Sequence, residues 1–276
     1  MKNHQFSNQT GLSSQILIED ISHDNPYDFT QIHRHSYFEI FLFKKGDGGS
    51  QVIDFVDYSI QSKHLYIVAP NQVHLMQRKP SEDGLVIQFS KSFLQSSIAP
   101  FQLDWLYKLR NTPVTSLSDK EFSILYQAFS ILKQLQYSNN GYKRQQVRHA
   151  FAYIIFQILE LLPFHITTEK DDNIAYSFID LAEKNFKEQR KINLYAQQLG
   201  TSVNALNKKI KARFGKTALE IIHEMLIIEI KRILKIEQLS NKEISFQLNF
   251  DSQSSYSRFV RKHTGYAPSD LRKIFE

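Results

Sequence analysis

Cysteine is absent from the 276 residues. Disulfides, zinc–thiolate centres and cysteine nucleophiles are thereby excluded. No uninterrupted apolar run reaches the ~18 residues needed to cross a bilayer. Residues 1–15, MKNHQFSNQTGLSSQ, lack the apolar stretch of a secretory signal. A cytoplasmic protein is therefore expected. Serine and histidine are plentiful, yet no nucleophile–base spacing is visible, so no catalytic residue is assigned and no enzyme is expected. Tryptophan occurs once, at Trp105, and reads as core rather than as a ligand platform. What the chain does have is an apolar share of 42%. That suffices for packed cores, and the length suits two domains.

Charge is unevenly spread. Residues 174–276 hold 18 Lys+Arg against 11 Asp+Glu, a net of +7; residues 1–173 hold 16 against 17, a net of −1. A basic C-terminal part beside a neutral N-terminal part suggests that only the former meets a polyanion. A solvated lysine-rich face would read the same way.

Three segments follow along the chain. Residues 15–95 read as short strands: Phe38 to Phe43, Gln51 to Ile60, His64 to Val68 and Leu85 to Phe89 are rich in aromatic or β-branched residues. Polar or glycine-rich breaks such as Lys45 to Gly49 separate them, which suggests a sandwich or small barrel. Residues 119–162 read as two helices. Phe122, Leu125, Phe129, Leu132 and Leu135 form one stripe, and Val147, Phe151, Ile154, Ile158 and Leu161 the other. Each stripe packs on its own domain or makes a dimer seam. Pro163 stops the second helix. The boundaries read as 1–163, a linker at 164–173, and an all-helical part at 174–276.

The basic part contains a repeat. Ser202 to Ile210 is followed by Gly215; 50 residues later Ser252 to Val260 is followed by Gly265. Serine suits a helix N-cap and glycine the position after a helix end. Leu206, Ile210, Tyr256, Phe259 and Val260 would face inward. Asn204, Asn207, Lys208, Gln253, Ser254, Ser257 and Arg258 would face outward. A short helix precedes each unit, Ile192 to Leu199 and Asn241 to Leu248, with turns at Gly200-Thr201 and Asn249 to Asp251. Short helix, tight turn and capped second helix make a helix-turn-helix pattern. Asn and Gln pair with adenine edges, Arg and Lys with guanine or phosphate. The DNA-contacting set is therefore Ser202, Asn204, Asn207, Lys208, Lys211, Ser252, Gln253, Ser254, Ser257, Arg258, Arg261 and Lys262. Between the units, Thr217 to Leu239 spans 23 residues, about 34 Å if wholly helical, near one turn of B-DNA.

The stretches EISFQLNFDSQSSYSRF (243–259) and KHTGYAPSDLR (262–272) closely resemble the signature of AraC/XylS-type regulators, and Lys231-Arg232-Ile233-Leu234 resembles the end of that family's linker helix. The resemblance covers about 175–273. The small residue common in the first helix of the second unit is Ser245 here, Asn249 stands where glycine is usual, and Lys209 where an apolar residue is frequent. Asparagine tolerates left-handed geometry, so the turn survives. Less specifically, His33-x-His35-x-x-x-Glu39, six residues, then Gly46 resembles the first cupin motif, and Pro70 to His74 a degraded second one. A strand would place His33, His35 and Glu39 on one face. With His74 they are effector-pocket candidates. Such residues can hold a divalent metal, but the resemblance implies barrel remnants, so no metal or cofactor is expected.

The resemblance implies an α+β protein: a cupin-like β-barrel with a two-helix subdomain, then tandem helix-turn-helix units joined by a long helix. It implies a transcriptional activator binding double-stranded promoter DNA, with a small-molecule effector and a homodimer through the N-terminal half. The alternative is a cupin-type metalloenzyme with a helical appendage.

Overall fold

The computed structural model describes residues 15–21, 32–98, 100–162 and 172–275. It divides into two compact units, Met1–His165 and Ile166–Glu276. Pro163 and most of the linker expected at 164–173 lie outside the described residues.

In the first unit the apolar runs pair antiparallel. β1 (Ile16–Ile21), β7 (Asp83–Phe89), β2 (Phe38–Lys45), β5 (His64–Val68) and β8 (Val114–Ser116) lie in that order in a five-stranded sheet. β4 (Val56–Gln61), β3 (Asp47–Ile53) and β6 (His74–Gln77) form a three-stranded sheet. β2 is buried continuously from Phe38 to Phe43, because both faces of the larger sheet are covered. Phe38, Ile40 and Leu42 pack with the helices. Phe41 and Phe43 pack with Ile53, Ile60 and Met76 of the smaller sheet. The Gly46 of the motif is a steric necessity: a Cβ there would sit 2.3 Å from the Gln61 carbonyl carbon.

The run from Gln51 to Ile60, read from sequence as one strand, is a hairpin. Asp54 and Phe55 both take positive φ, 45° and 73°, and Ile53 pairs with Val56. A two-residue turn of this hand matches the twist of the strands it joins. No Asn-Gly or Asp-Gly marks it. The Asp54 carboxylate instead holds it by accepting from Val73 N–H at 3.1 Å and Gln72 Nε2 at 3.0 Å.

The expected two-helix subdomain has four helices. α1 (Lys91–Ser97) and α2 (Leu103–Asn111) precede α3 (Asp119–Gln136) and α4 (Lys143–Leu161). The first two are too short to show a helical period in sequence. Trp105 is buried in the core they share with α3 and α4. The α4 stripe also points there. Val147, Phe151, Ile154 and Ile158 are buried in their own unit, so that stripe is no dimer seam.

The second unit, where described, is all helical: α5 (Asp172–Asn185), α6 (Ile192–Gln198), α7 (Val203–Phe214), α8 (Ala218–Ile236), α9 (Asn241–Gln247), α10 (Gln253–Thr264) and α11 (Pro268–Phe275). α8 begins with a Thr217–Glu220 capping box. It ends at Ile236, where the backbone turns extended. Its 19 residues span about 28 Å, shorter than the 34 Å read from sequence. No helix among the described residues is long and apolar enough to cross a membrane.

Candidate functional site

The second helices of the two helix-turn-helix units, α7 and α10, are built alike. The Ser202 hydroxyl caps α7 by accepting from Ala205 N–H at 3.2 Å, and Ser252 caps α10 by accepting from Ser255 N–H at 3.1 Å. Gly215 and Gly265 close them in left-handed conformation, φ 70° and 79°. In the preceding turns Gly200 and Asn249 take the same geometry, φ 63° and 53°. Leu206, Ile210, Tyr256 and Val260 are buried. Asn204, Lys208 and Lys211 are exposed along α7; Ser254, Arg258, Arg261 and Lys262 are exposed along α10. Those spacings put each set on one helical face. Neither helix contains an acid, so each exposed face is wholly cationic or neutral. Ser202, Ser252 and Gln253, at the helix starts, are exposed as well.

Asn207 and Ser257 are half-buried. The Asn207 side-chain oxygen accepts Ala218 N–H at 3.0 Å, satisfying one orphan donor at the start of α8. Fifty residues on, Ser257 has no such task, because Pro268 stands in place of Ala218 and has no N–H. The two units thus differ where the sequence repeat suggested equivalence. Phe259 is only partly buried and packs on Phe250 and on the His223 and His263 rings, 4.5–5.4 Å between centroids.

Arginines brace the framework behind the helices. The Arg190 guanidinium lies 4.1 Å from the Phe250 ring centroid and donates to the Leu248 carbonyl. Asn249 Nδ2 donates to the Glu188 carbonyl at 3.2 Å. Arg272, part of the C-terminal signature, donates to the Leu239 carbonyl and so ties α11 to the short segment between α8 and α9. Arg213 Nε donates to the Tyr176 hydroxyl at 2.6 Å.

In the first unit His33, His35, Glu39 and His74 converge, though not along one strand. Only Glu39 lies in β2; His33 pairs as an isolated bridge with His74. His35 Nε2 and His74 Nε2 lie 3.0 and 3.2 Å from Glu39 Oε2, ion-pair distances when the rings are protonated. His35, Glu39 and His74 are all buried. Burial pushes the His35 imidazole below its usual value, against the pull of Glu39. Burial alone would raise the Glu39 carboxyl, but His35 and His74 hold it well below the usual carboxylate range.

Two residues near this cluster carried no signal in the sequence. Gln88 Nε2 donates to Glu39 Oε1 at 2.7 Å, fixing the carboxylate. Gln51 is fully buried, and both atoms of its amide lack a hydrogen-bond partner. It alternates with Ile53 along β3 and so shares the face turned to Phe41, Phe43 and Met76. A glutamine inside a polar strand looks like a solvated residue until the strand's inner face is known.

Residues 195–274 match the model of a family described as "Helix-turn-helix domain". The interval runs from within α6 to within α11 and so contains both α7 and α10. The HTH-type transcriptional activator RhaS of Escherichia coli (strain K12 / DH10B) is 22% identical over 262 residues, covering 89% of this chain and 88% of its own length. Among solved structures, unsaturated fatty acid bound wild-type ToxT from Vibrio cholerae strain SCE256 matches 94% of this chain and 95% of its own, with 18% identity and a TM-score of 0.45. A regulator from Chromobacterium violaceum with an AraC-type DNA-binding domain matches 37% of this chain and 91% of its own, with 20% identity and a TM-score of 0.34.

Proposed function

Because this chain is a helix-turn-helix transcriptional regulator of the AraC/XylS type, we propose that α7 and α10 read promoter DNA in successive major grooves while the first unit binds a small-molecule effector and pairs with a second copy. The DNA-contacting residues in this reading are Ser202, Asn204, Asn207 through its remaining amide N–H groups, Lys208, Lys211, Ser252, Gln253, Ser254, Ser257, Arg258, Arg261 and Lys262. The observation that carries it is the pair of capped, acid-free helices whose exposed faces match at a spacing of 50 residues. Five exposed cations stand on them: Lys208, Lys211, Arg258, Arg261 and Lys262. If each neutralises about one phosphate, log K should fall against log salt with a slope of about −4 to −5. Fluorescence anisotropy of the full chain on duplex DNA measures this, and a slope near zero would refute the assignment.

Activation rather than repression is the reading that fits the name of the RhaS relative, and a cytoplasmic location belongs to the same proposal. The metalloenzyme alternative has no counterpart among the relatives described above. Effector binding is placed between the two sheets, where Gln51 offers a donor and an acceptor amid Phe41, Phe43 and Met76. The histidine cluster lies on the same side of the larger sheet, since Glu39 alternates with Phe41 along β2.

Dimerisation is assigned to the outer face of α4. Tyr142, Gln146, His149, Tyr153, Phe156 and Glu160 are all exposed and recur at alternating steps of four and three, the spacing of a coiled-coil seam. Tyr153 and Phe156 leave 49% and 47% of their surface exposed. An antiparallel second copy would set Arg144 of one helix near Glu160 of the other. Replacing Tyr153 and Phe156 together by Glu should yield folded monomers in sedimentation; an unchanged dimer would remove this face from consideration.

A further inference from the structure

The first residue of α7 is apolar and exposed. Val203 leaves 36% of its surface open, on a helix that otherwise shows Asn204, Lys208 and Lys211 to the outside. Four residues on, and so on the same side of the helix, stands Asn207. Its amide orientation is fixed. A backbone N–H only donates, so the side-chain atom 3.0 Å from Ala218 N–H is the oxygen. Nδ2 lies on the other arm of the planar amide and carries its two N–H donors away from that bond. A paired contact with adenine needs the amide oxygen to accept from N6 while an N–H donates to N7. Here the oxygen is turned to the start of α8, so Asn207 meets a base as a donor.

We propose that Val203 and Asn207 together read one thymine, Val203 packing on its C5 methyl and Asn207 Nδ2 donating to its O4. The inference rests on α7 being a DNA-reading helix and adds the base that this pair selects. In the major groove thymine alone sets a methyl beside an acceptor. Guanine offers acceptors without a methyl; cytosine and adenine each present an amino group, which Nδ2 cannot accept. Residues four apart on a helix have Cβ atoms about 5–6 Å from one another, close enough for both side chains to reach one base edge. The N-terminal residues of such a helix are those that meet base edges, and Val203 is the first of α7. Gln253 and Ser257 hold the matching places in α10. Neither is apolar, so the two units select different bases.

The test uses full-length protein and a duplex that it selects from a random pool, with each thymine replaced in turn by deoxyuridine, which lacks only the methyl. One position should lose about fourfold in affinity by fluorescence anisotropy, as expected for one buried carbon. That loss should vanish in Val203→Ala. At the same position 5-methylcytosine keeps the methyl and puts an amino group in place of O4, and it should cost about fivefold or more. Asn207→Asp should reverse the preference between thymine and 5-methylcytosine. Its carboxylate accepts from the amino group and still accepts Ala218 N–H, so the helix start is kept and circular dichroism should be unchanged. Uridine tolerated at every position would overturn the thymine assignment. So would a uridine loss undiminished in Val203→Ala, or an unaltered preference for thymine in Asn207→Asp. Lys208→Ala on the same duplex separates the two levels: if it still weakens binding, α7 remains a DNA-reading helix and only the thymine assignment falls.

Discussion

Ile154→Glu is expected to unfold the first unit rather than to separate a dimer. Ile154 has no exposed surface and lies in the core formed by α1 to α4 against the larger sheet. A carboxylate placed there must either stay ionised in an apolar surrounding or take up a proton and remain without a partner. It also displaces the packing of a fully buried isoleucine. Together these cost on the order of 4 kcal/mol or more, a large part of the stability of a domain this size. Tyr153, one residue earlier, faces outward, so Tyr153→Glu leaves the same core intact. The pair of neighbouring substitutions therefore discriminates core from seam. Trp105 packs in that core, and its fluorescence reports the first unit alone because it is the only tryptophan. Ile154→Glu should abolish the Trp105 transition at room temperature while circular dichroism retains the helices of the second unit. A native Trp105 spectrum in Ile154→Glu would return the inner stripe of α4 to the surface.

That contrast shows where sequence reading succeeds and where it stops. Periodicity located the stripe of α4 but could not say what it faced. An apolar stripe looks the same against a sheet or a second helix, and the aromatic pair on the opposite face belongs to no obvious pattern until burial removes the first one. The helix-turn-helix units were legible nearly residue by residue. Their caps, turns and inward positions are local, set by Ser202, Gly215, Ser252 and Gly265 within a dozen residues. The strands were legible only in part: four runs were read where eight strands form among the described residues, the short β1, β6 and β8 carrying too few residues to show alternation, and the run Gln51 to Ile60 breaks because a distant loop grips the Asp54 carboxylate. The histidine motif was visible as letters, whereas the meeting of His35, Glu39 and His74 depends on segments that only the folded backbone brings together. Asn207 is the remaining case. Its helical phase predicts an outward side chain, and it is half so, but its oxygen is committed to the first N–H of α8.

Arg258→Ala is expected to cost about 1–3 kcal/mol on the specific operator, roughly 5- to 150-fold in affinity, and much less on unrelated DNA. Arg258 is the sixth residue of α10, exposed on the face opposite buried Tyr256 and Val260. A guanidinium there has the reach and the planar fork to take O6 and N7 of one guanine together. Lys208 holds the same place in α7, six residues in and equally exposed. Its ammonium is a single point of charge, which attracts phosphate well and distinguishes bases poorly. Lys208→Ala should therefore weaken specific and unrelated DNA alike and make the salt slope shallower by about one unit. Neither change touches a cap, a buried residue or the braces at Arg190 and Arg272, so folding should be unaffected and circular dichroism unchanged. Binding curves for both variants on operator and random duplex, at two salt concentrations, separate the roles. Equal losses on both DNAs for Arg258→Ala would make it a phosphate contact. Unchanged affinity in both variants would place the DNA-reading surface away from α7 and α10, against the assignment made here.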